Sequence, residues 1–305
     1  MKSFLVKIGC FTLALLAILT AMEVYVESMP NIARDKHQWM LQHSNEVKTL
    51  VLGNSHNLYG IRPDLLGEGA FSLAQQSQTY RYDCYLLQHY PMKELKTVIL
   101  NVDYSLLWED FESTPKEEFQ AMRYRIYMDC DIHPRLSWYG FEVMYMPLVT
   151  EKLRSLFTPG RNHWDHLGWA TEYTKEARLQ DWDDGKNRAE ANTRHDTDIV
   201  SMNEGILRDI FDYCQKHHIK VILLNTPVSE TFRTYEDPRQ RHINDQALKK
   251  LLQDNPSVTY LDWEADQRFT SDDFYDSDHL NHEGAQKLTK AVLAEMVNRP
   301  SSNCP

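Results

Sequence analysis

The run from Ile219 to Leu224 is built almost wholly of β-branched residues and leucine. A strand of that kind cannot keep one face in water, so it belongs in a parallel sheet covered on both sides. Shorter apolar runs repeat the signal at Thr49-Leu50-Val51-Leu52, Ala70 to Ala74, Thr97 to Val102 and Val258 to Leu261. Helical spacing lies between and after them. Tyr82, Tyr85, Leu86 and His89 mark one helix, ended by Pro91, and Ile206, Leu207, Ile210, Phe211 and Cys214 line one face of another. A third runs through Ile243, Ala247, Leu248, Leu251 and Leu252, and a last one through Ala285, Leu288, Val292 and Met296, stopped by Pro300. Alternation of this sort predicts an α/β protein with a mainly parallel sheet of about five strands.

At 305 residues the chain can bury one good-sized core, or one core plus an insertion. Between about 106 and 198 the pattern changes to a stretch rich in Trp, Tyr, Met and charge, punctuated by Pro134, Pro147 and Pro159. It reads as an insertion of helices and loops over the carboxyl edge of the sheet, within one domain spanning 28–305. The plainer alternative is ordinary core with poor periodicity.

The amino terminus carries Lys2 and Lys7, then the apolar stretch Ile8 to Met22, then Glu23 and Glu27. This is the pattern of a signal anchor over residues 1–27, placing the remaining chain outside the cytoplasm. The uncharged core of about 15 residues is short against the ~20 of a spanning helix, but Lys7 can snorkel and Val24, Tyr25 and Val26 lengthen the apolar face. A cleaved signal peptide, with Leu19-Thr20-Ala21 before the cut, and a buried amino-terminal helix are the alternatives. Residues 28 to 47 are polar and suit a stalk or first helix. The net charge of -11 excludes an ordinary nucleic-acid binder, which would show a basic face. Cys84, Cys130, Cys214 and Cys304 have neither zinc-ribbon nor Cys-x-x-Cys spacing, so they read as buried thiols, with a bridge of unassigned pairing as the alternative in an oxidising compartment.

Ser55 stands in Gly53-Asn54-Ser55-His56, just past the first strand, at the edge where open α/β sheets bind ligands. A serine hydroxyl becomes a nucleophile only when a base takes its proton and a third group orients that base. His279, in Asp276-Ser277-Asp278-His279, is the candidate base. Asp276 is the candidate orienting acid and Asp278 its substitute. His56 would give local support or touch substrate, and His195, ahead of the regular helix, is a candidate to reach the cleft. A metal alternative uses Asp276, Asp278, His279 and His282, but it leaves Ser55 unexplained.

With these motifs, in this order, the chain resembles the SGNH, or GDSL-like, hydrolase and acyltransferase superfamily over residues 47 to 298. The family's serine sits in a Gly-x-Ser turn after the first strand, matched by Gly53-Asn54-Ser55. Its Asp-x-x-His precedes the last helix, matched by Asp276 to His279. The resemblance implies a three-layer αβα, flavodoxin-like fold. It also implies a serine-dependent ester hydrolase or O-acyltransferase, with Ser55, His279 and Asp276 catalytic and no cofactor or metal. The membrane anchor makes the chain most like members acting on an envelope carbohydrate or acylated glycan, with a membrane partner as acyl donor. The family's oxyanion hole uses a glycine N–H after the second strand and an asparagine after the third. This chain departs there, offering Gln75-Gln76-Ser77 and Asn101-Val102-Asp103. The Gln76 backbone N–H and the Asn101 side chain are the substitutes, and a lost donor costs about 2.7–4 kcal/mol of transition-state stabilisation. A catalytically inactive polysaccharide-binding or scaffolding protein is the alternative function.

Overall fold

A computed structural model describes residues 1–111, 118–132, 140–144, 146–155, 157, 163–178 and 180–298. Pro134, Pro159, Pro300 and Cys304 lie outside the described residues. The chain forms two compact units, one of residues 1–35 with 111–162 and the other of residues 36–110 with 163–305.

In chain order the helices are α1 (Lys2–Glu27), α2 (Ile32–His43), α3 (Ser55–Gly60), α4 (Tyr80–His89), α5 (Glu118–Tyr127) and α6 (Met146–Ser155). They continue as α7 (Gly185–Ala191), α8 (Thr197–Lys216), α9 (Glu230–Thr234), α10 (Pro238–Asp254) and α11 (His282–Asn298). The strands are β1 (Thr49–Val51), β2 (Ala70–Ser72), β3 (Thr97–Asn101), β4 (Lys220–Asn225) and β5 (Thr259–Asp262). Each falls within a residue or two of its apolar run.

All five strands belong to the second unit and form one sheet in the order β2-β1-β3-β4-β5, with every pair parallel. Val98 lies opposite Leu50 on one side and Val221 on the other, which fixes β3 at the centre. Successive strand residues point to opposite faces, yet every residue of β1, β2 and β3 is buried, so both faces are covered. The chain reverses its direction of winding between β1 and β3, and that is where an open sheet forms a crevice at its carboxyl edge.

The first unit shows why the stretch from 106 to 198 has no single pattern, because its middle segment, 111–162, groups with the amino-terminal residues. α1 is one uninterrupted helix of 26 residues with a mean hydropathy of 2.2 over its most apolar window, long and apolar enough to cross a membrane. Its carboxyl end is held by polar contacts around the buried Glu23 and Val26. The Glu23 carboxylate accepts from the backbone N–H groups of Glu142 and Val143, both at 2.9 Å. The Lys152 ammonium donates to the Val26 carbonyl at 2.8 Å and to Glu142 Oε1 at 2.6 Å, while Arg34 donates to the carbonyls of Glu27 and Met29.

Cys84, Cys130 and Cys214 are free thiols, the last two buried. Leu223, wholly buried in β4, is a test of the sheet's core. Leu223→Ala should destabilise the chain by about 2–5 kcal/mol, read as a lower midpoint in urea unfolding followed by near-ultraviolet circular dichroism.

Candidate active site

The turn between β1 and α3 is shaped from beneath by buried polar groups. Gly53 has φ of +110°, and a Cβ there would overlap Asn101 Oδ1, so both the conformation and the close approach require glycine. Its N–H donates to Asp83 Oδ1 at 2.7 Å, and its carbonyl accepts from Gln75 N at 3.1 Å. Asn54 caps α3, its side chain accepting from His56 N at 3.0 Å, and donates Nδ2 to Asp103 Oδ2 at 2.6 Å. Ser55 therefore becomes the first residue of a helix, with its own N–H lacking an intrahelical acceptor.

His279 arrives on a closed loop. Phe274 bridges Leu280, and Tyr275 N–H donates to the His279 carbonyl at 2.9 Å. Inside the loop, Asp276 Oδ1 accepts from the N–H groups of Asp278 at 3.1 Å and His279 at 2.8 Å. The two loops meet: His279 Nε2 lies 2.8 Å from Ser55 Oγ, and Nδ1 lies 2.9 Å from Asp276 Oδ1. With the proton on Nδ1 directed to Asp276, Nε2 is free to accept from the serine hydroxyl.

A second carboxylate shares the ring, because Asp278 Oδ1 is 3.2 Å from Nδ1. Arg188, on α7, spans the pair, donating Nη2 to Asp276 Oδ2 at 2.9 Å and Nε to Asp278 Oδ1 at 2.6 Å. Burial alone would lower the His279 pKa, but Asp276 and Asp278 outweigh it and push the imidazole up to about 10. Burial likewise opposes charge on Asp278, yet His279 and Arg188 hold its carboxyl well below the usual range.

His56 reaches Thr226 Oγ1 at 2.9 Å through Nδ1 and packs on the His279 ring at 5.0 Å, so it touches His279 rather than the Ser55 hydroxyl. Burial holds its pKa below the ordinary value. On the other side Tyr59, Tyr173 and Tyr275 stack face to face at 3.6 and 3.8 Å, and the edges of the first two meet His279. A small recess lined by His56, Asp103, Tyr104, Asn225 and Asp278 lies beside His279. It shares Val228 with a larger open cleft bearing Trp182, Phe274, Glu230 and Arg233.

Two expected contributors stand elsewhere. The Asn101 side chain is buried and spent: Nδ2 donates to Asn54 Oδ1 at 2.8 Å and Asp103 Oδ2 at 2.9 Å, and Oδ1 accepts from Asn54 N at 3.0 Å. It builds the turn and has no amide proton left for an oxyanion, because it ends the strand instead of following it. His195 is exposed just ahead of α8 and takes no part in this hydrogen-bonded cluster. The Gln76 side chain donates to Tyr59 Oη at 2.7 Å; its backbone N–H follows Gln75, whose own N–H is tied to Gly53.

Among the described residues, one group could gather a metal ion, His56, Asp278 and His279, whose ligand atoms lie within 4.8 Å of one another. Ser55 already engages His279 Nε2, and Arg188 engages Asp278 Oδ1. His282 is turned to the Thr171 carbonyl at 2.8 Å and fastens the segment that carries Tyr173.

Arg188 and Tyr173 come from the stretch without periodicity, where no sequence signal marks them. Asp83 carried one, as an acid among the apolar positions of its helix. It is wholly buried, and burial pushes its carboxyl up to about 7 against hydrogen bonds from Gln78 and Gly53.

One family model matches residues 178–301, less than half of the chain. No curated protein matches in sequence. Solved structures of similar fold include a proposed acylhydrolase of Bacteroides fragilis, at 14% identity and a TM-score of 0.43, covering 86% of this chain and 94% of that one. A GDSL-like lipase of Bacteroides thetaiotaomicron is similar at 11% identity and a TM-score of 0.44, covering 88% and 99%. A proposed lipolytic protein of the G-D-S-L family from Desulfitobacterium hafniense follows at 10% identity and 0.40, covering 81% and 98%. Likenesses this distant assign neither family nor activity, which leaves the chemistry to the side chains themselves.

The Asp83 pKa lies above its ordinary 3.8, so the folded state keeps a proton that the unfolded chain releases. The stability this brings is complete below about pH 4 and is lost as pH rises through about 7. Asp83→Asn should flatten that decline, measured as the unfolding temperature between pH 4 and 8.

Proposed function

We propose that the chain is a serine enzyme that hydrolyses or transfers an acyl group through an acyl-enzyme on Ser55. The single observation that carries this is the continuous line from Ser55 Oγ to His279 Nε2 at 2.8 Å and from His279 Nδ1 to Asp276 at 2.9 Å. His279 takes the hydroxyl proton as Oγ attacks the acyl carbonyl. It then gives that proton to the departing oxygen, and finally deprotonates the water or sugar hydroxyl that releases the acyl group. Asp276 fixes the tautomer and balances the imidazolium. The oxyanion donors in this reading are the N–H groups of Ser55 and Gln76, with Asn101 acting through the turn it supports.

The substrate we propose is an envelope carbohydrate or acylated glycan. What supports it is the tyrosine stack beside His279 and the open cleft with Trp182 and Phe274, since flat rings suit sugar faces. In the same reading α1 spans the membrane uncleaved, the catalytic unit lies outside the cytoplasm, and a membrane partner supplies acyl groups when the reaction is transfer. His56 supports the site and His195 is left without a catalytic part. The rival reading, an inactive carbohydrate-binding protein, draws on the spent amide of Asn101.

Full-length protein in detergent micelles should release p-nitrophenol from its acetate ester and gain one adduct from a fluorophosphonate, seen by mass spectrometry. Ser55→Ala should lose the adduct and slow by roughly 10³-fold or more. Equal rates, or sugar binding with no turnover in either protein, would support the rival.

The base works only when neutral, so activity should rise with pH through the His279 pKa of about 10. Asp278→Asn removes one of the two charges that favour the imidazolium and should move that rise lower by about 1–3 pH units. Asp276→Asn should depress the rate at every pH, which separates the orienting acid from its neighbour.

A further inference from the structure

Beyond residue 27, seven large hydrophobic side chains are exposed among the described residues: Leu41, Phe141, Met146, Leu153, Phe157, Tyr235 and Val297. Four of them fall between 141 and 157, all in the unit that contains α1, with Phe141 at 57% exposure and Phe157 at 84%. A concentration of this kind in water is costly unless something covers it.

Its position says what covers it. Phe141 immediately precedes Glu142, whose N–H is bonded to Glu23, and Leu153 immediately follows Lys152, whose ammonium is bonded to the Val26 carbonyl. Both apolar residues are therefore neighbours in sequence of residues bonded to the carboxyl end of α1. Met146 and Leu153 are seven residues apart on α6, two turns, and so share one face. Phe157 comes after a turn closed by its N–H on the Arg154 carbonyl at 3.0 Å.

A 26-residue helix is about 39 Å long against a hydrocarbon core of about 30 Å, which leaves room for Glu23 and its partners at the headgroup level. We infer that Phe141, Met146, Leu153 and Phe157 enter the boundary between headgroups and acyl chains of the bilayer that α1 crosses. These four side chains are then a second, peripheral membrane contact joined to the first by Glu23 and Lys152. This rests on the reading of α1 as a spanning helix. A phospholipid surface is the occupant because Phe141 and Leu153 adjoin the residues that bond the carboxyl end of that helix, and a second copy of the chain is the alternative to be tested.

The test places a benzophenone amino acid singly at Phe11, Phe141, Phe157 and Tyr235 of the full-length chain. Each protein is reconstituted in phosphatidylethanolamine–phosphatidylglycerol vesicles, irradiated and weighed by mass spectrometry, with circular dichroism confirming that each is folded as the parent. Lipid adducts at 11, 141 and 157, several times those at 235, are expected. Adducts at 11 alone would overturn the inference and leave the anchor standing. No adduct even at 11 would overturn the anchor and the inference with it. Equal yields at 235, or protein dimers at 141 and 157, would also overturn it.

Discussion

The Asp103 carboxylate accepts from Asn54 Nδ2, Asn101 Nδ2, Ser105 N, Ser105 Oγ and Leu106 N, and it does so while only 8% exposed. Through those bonds the ends of β1 and β3 and the chain beyond them are held as one piece. Each donor would be costly to leave unmatched in the interior, by about 1–3 kcal/mol, so the arrangement resists piecemeal change. Ser55 has its helix-start geometry because this base beneath it does not yield. The parallel pairing of β1 with β3 supplies the other half, since it brings Asn101 close enough to touch Gly53.

Above that base the electrostatics are arranged around one imidazole. Two carboxylates lie within 3.2 Å of Nδ1, and Arg188 is the counterweight to their charge. Its guanidinium satisfies both acids at once, which fixes their orientation as well as their charge. Nη2 also approaches Nδ1 at 3.0 Å; two donors can share that space because both direct their hydrogens to Asp276. The position of α7, which carries the arginine, thus bears directly on the basicity of a residue some ninety positions later.

The strands were legible because a sheet buried on both faces writes its requirement as unbroken apolar runs, and β4 could hardly be read otherwise. Ser55, His279 and Asp276 were legible because their types and order carry chemical meaning. Asn101 takes a different place from the one expected for a physical reason: sequence shows a polar residue at the end of a strand, but not that the strand ends beneath a neighbouring turn to which its amide is bonded. Arg188, Tyr173 and the ties between Glu23 and residue 142 depend on contacts made across long stretches of chain. Nothing local announces them. The break at residues 111 and 162 is invisible for the same cause, since what divides the middle segment is its choice of partner.

The enclosed end of α1 has a consequence for how this protein can be handled. An apolar helix at an amino terminus is ordinarily treated as a removable tether, cut away to obtain soluble material. Here the cut would take a working part of the structure with it. A chain beginning at residue 28 would lack the Glu23 carboxylate and the Val26 carbonyl, leaving the amides of Glu142 and Val143 without their acceptor and taking one acceptor from Lys152. Instability in such a fragment would report the loss of that cap and would say little about the soundness of the sheet.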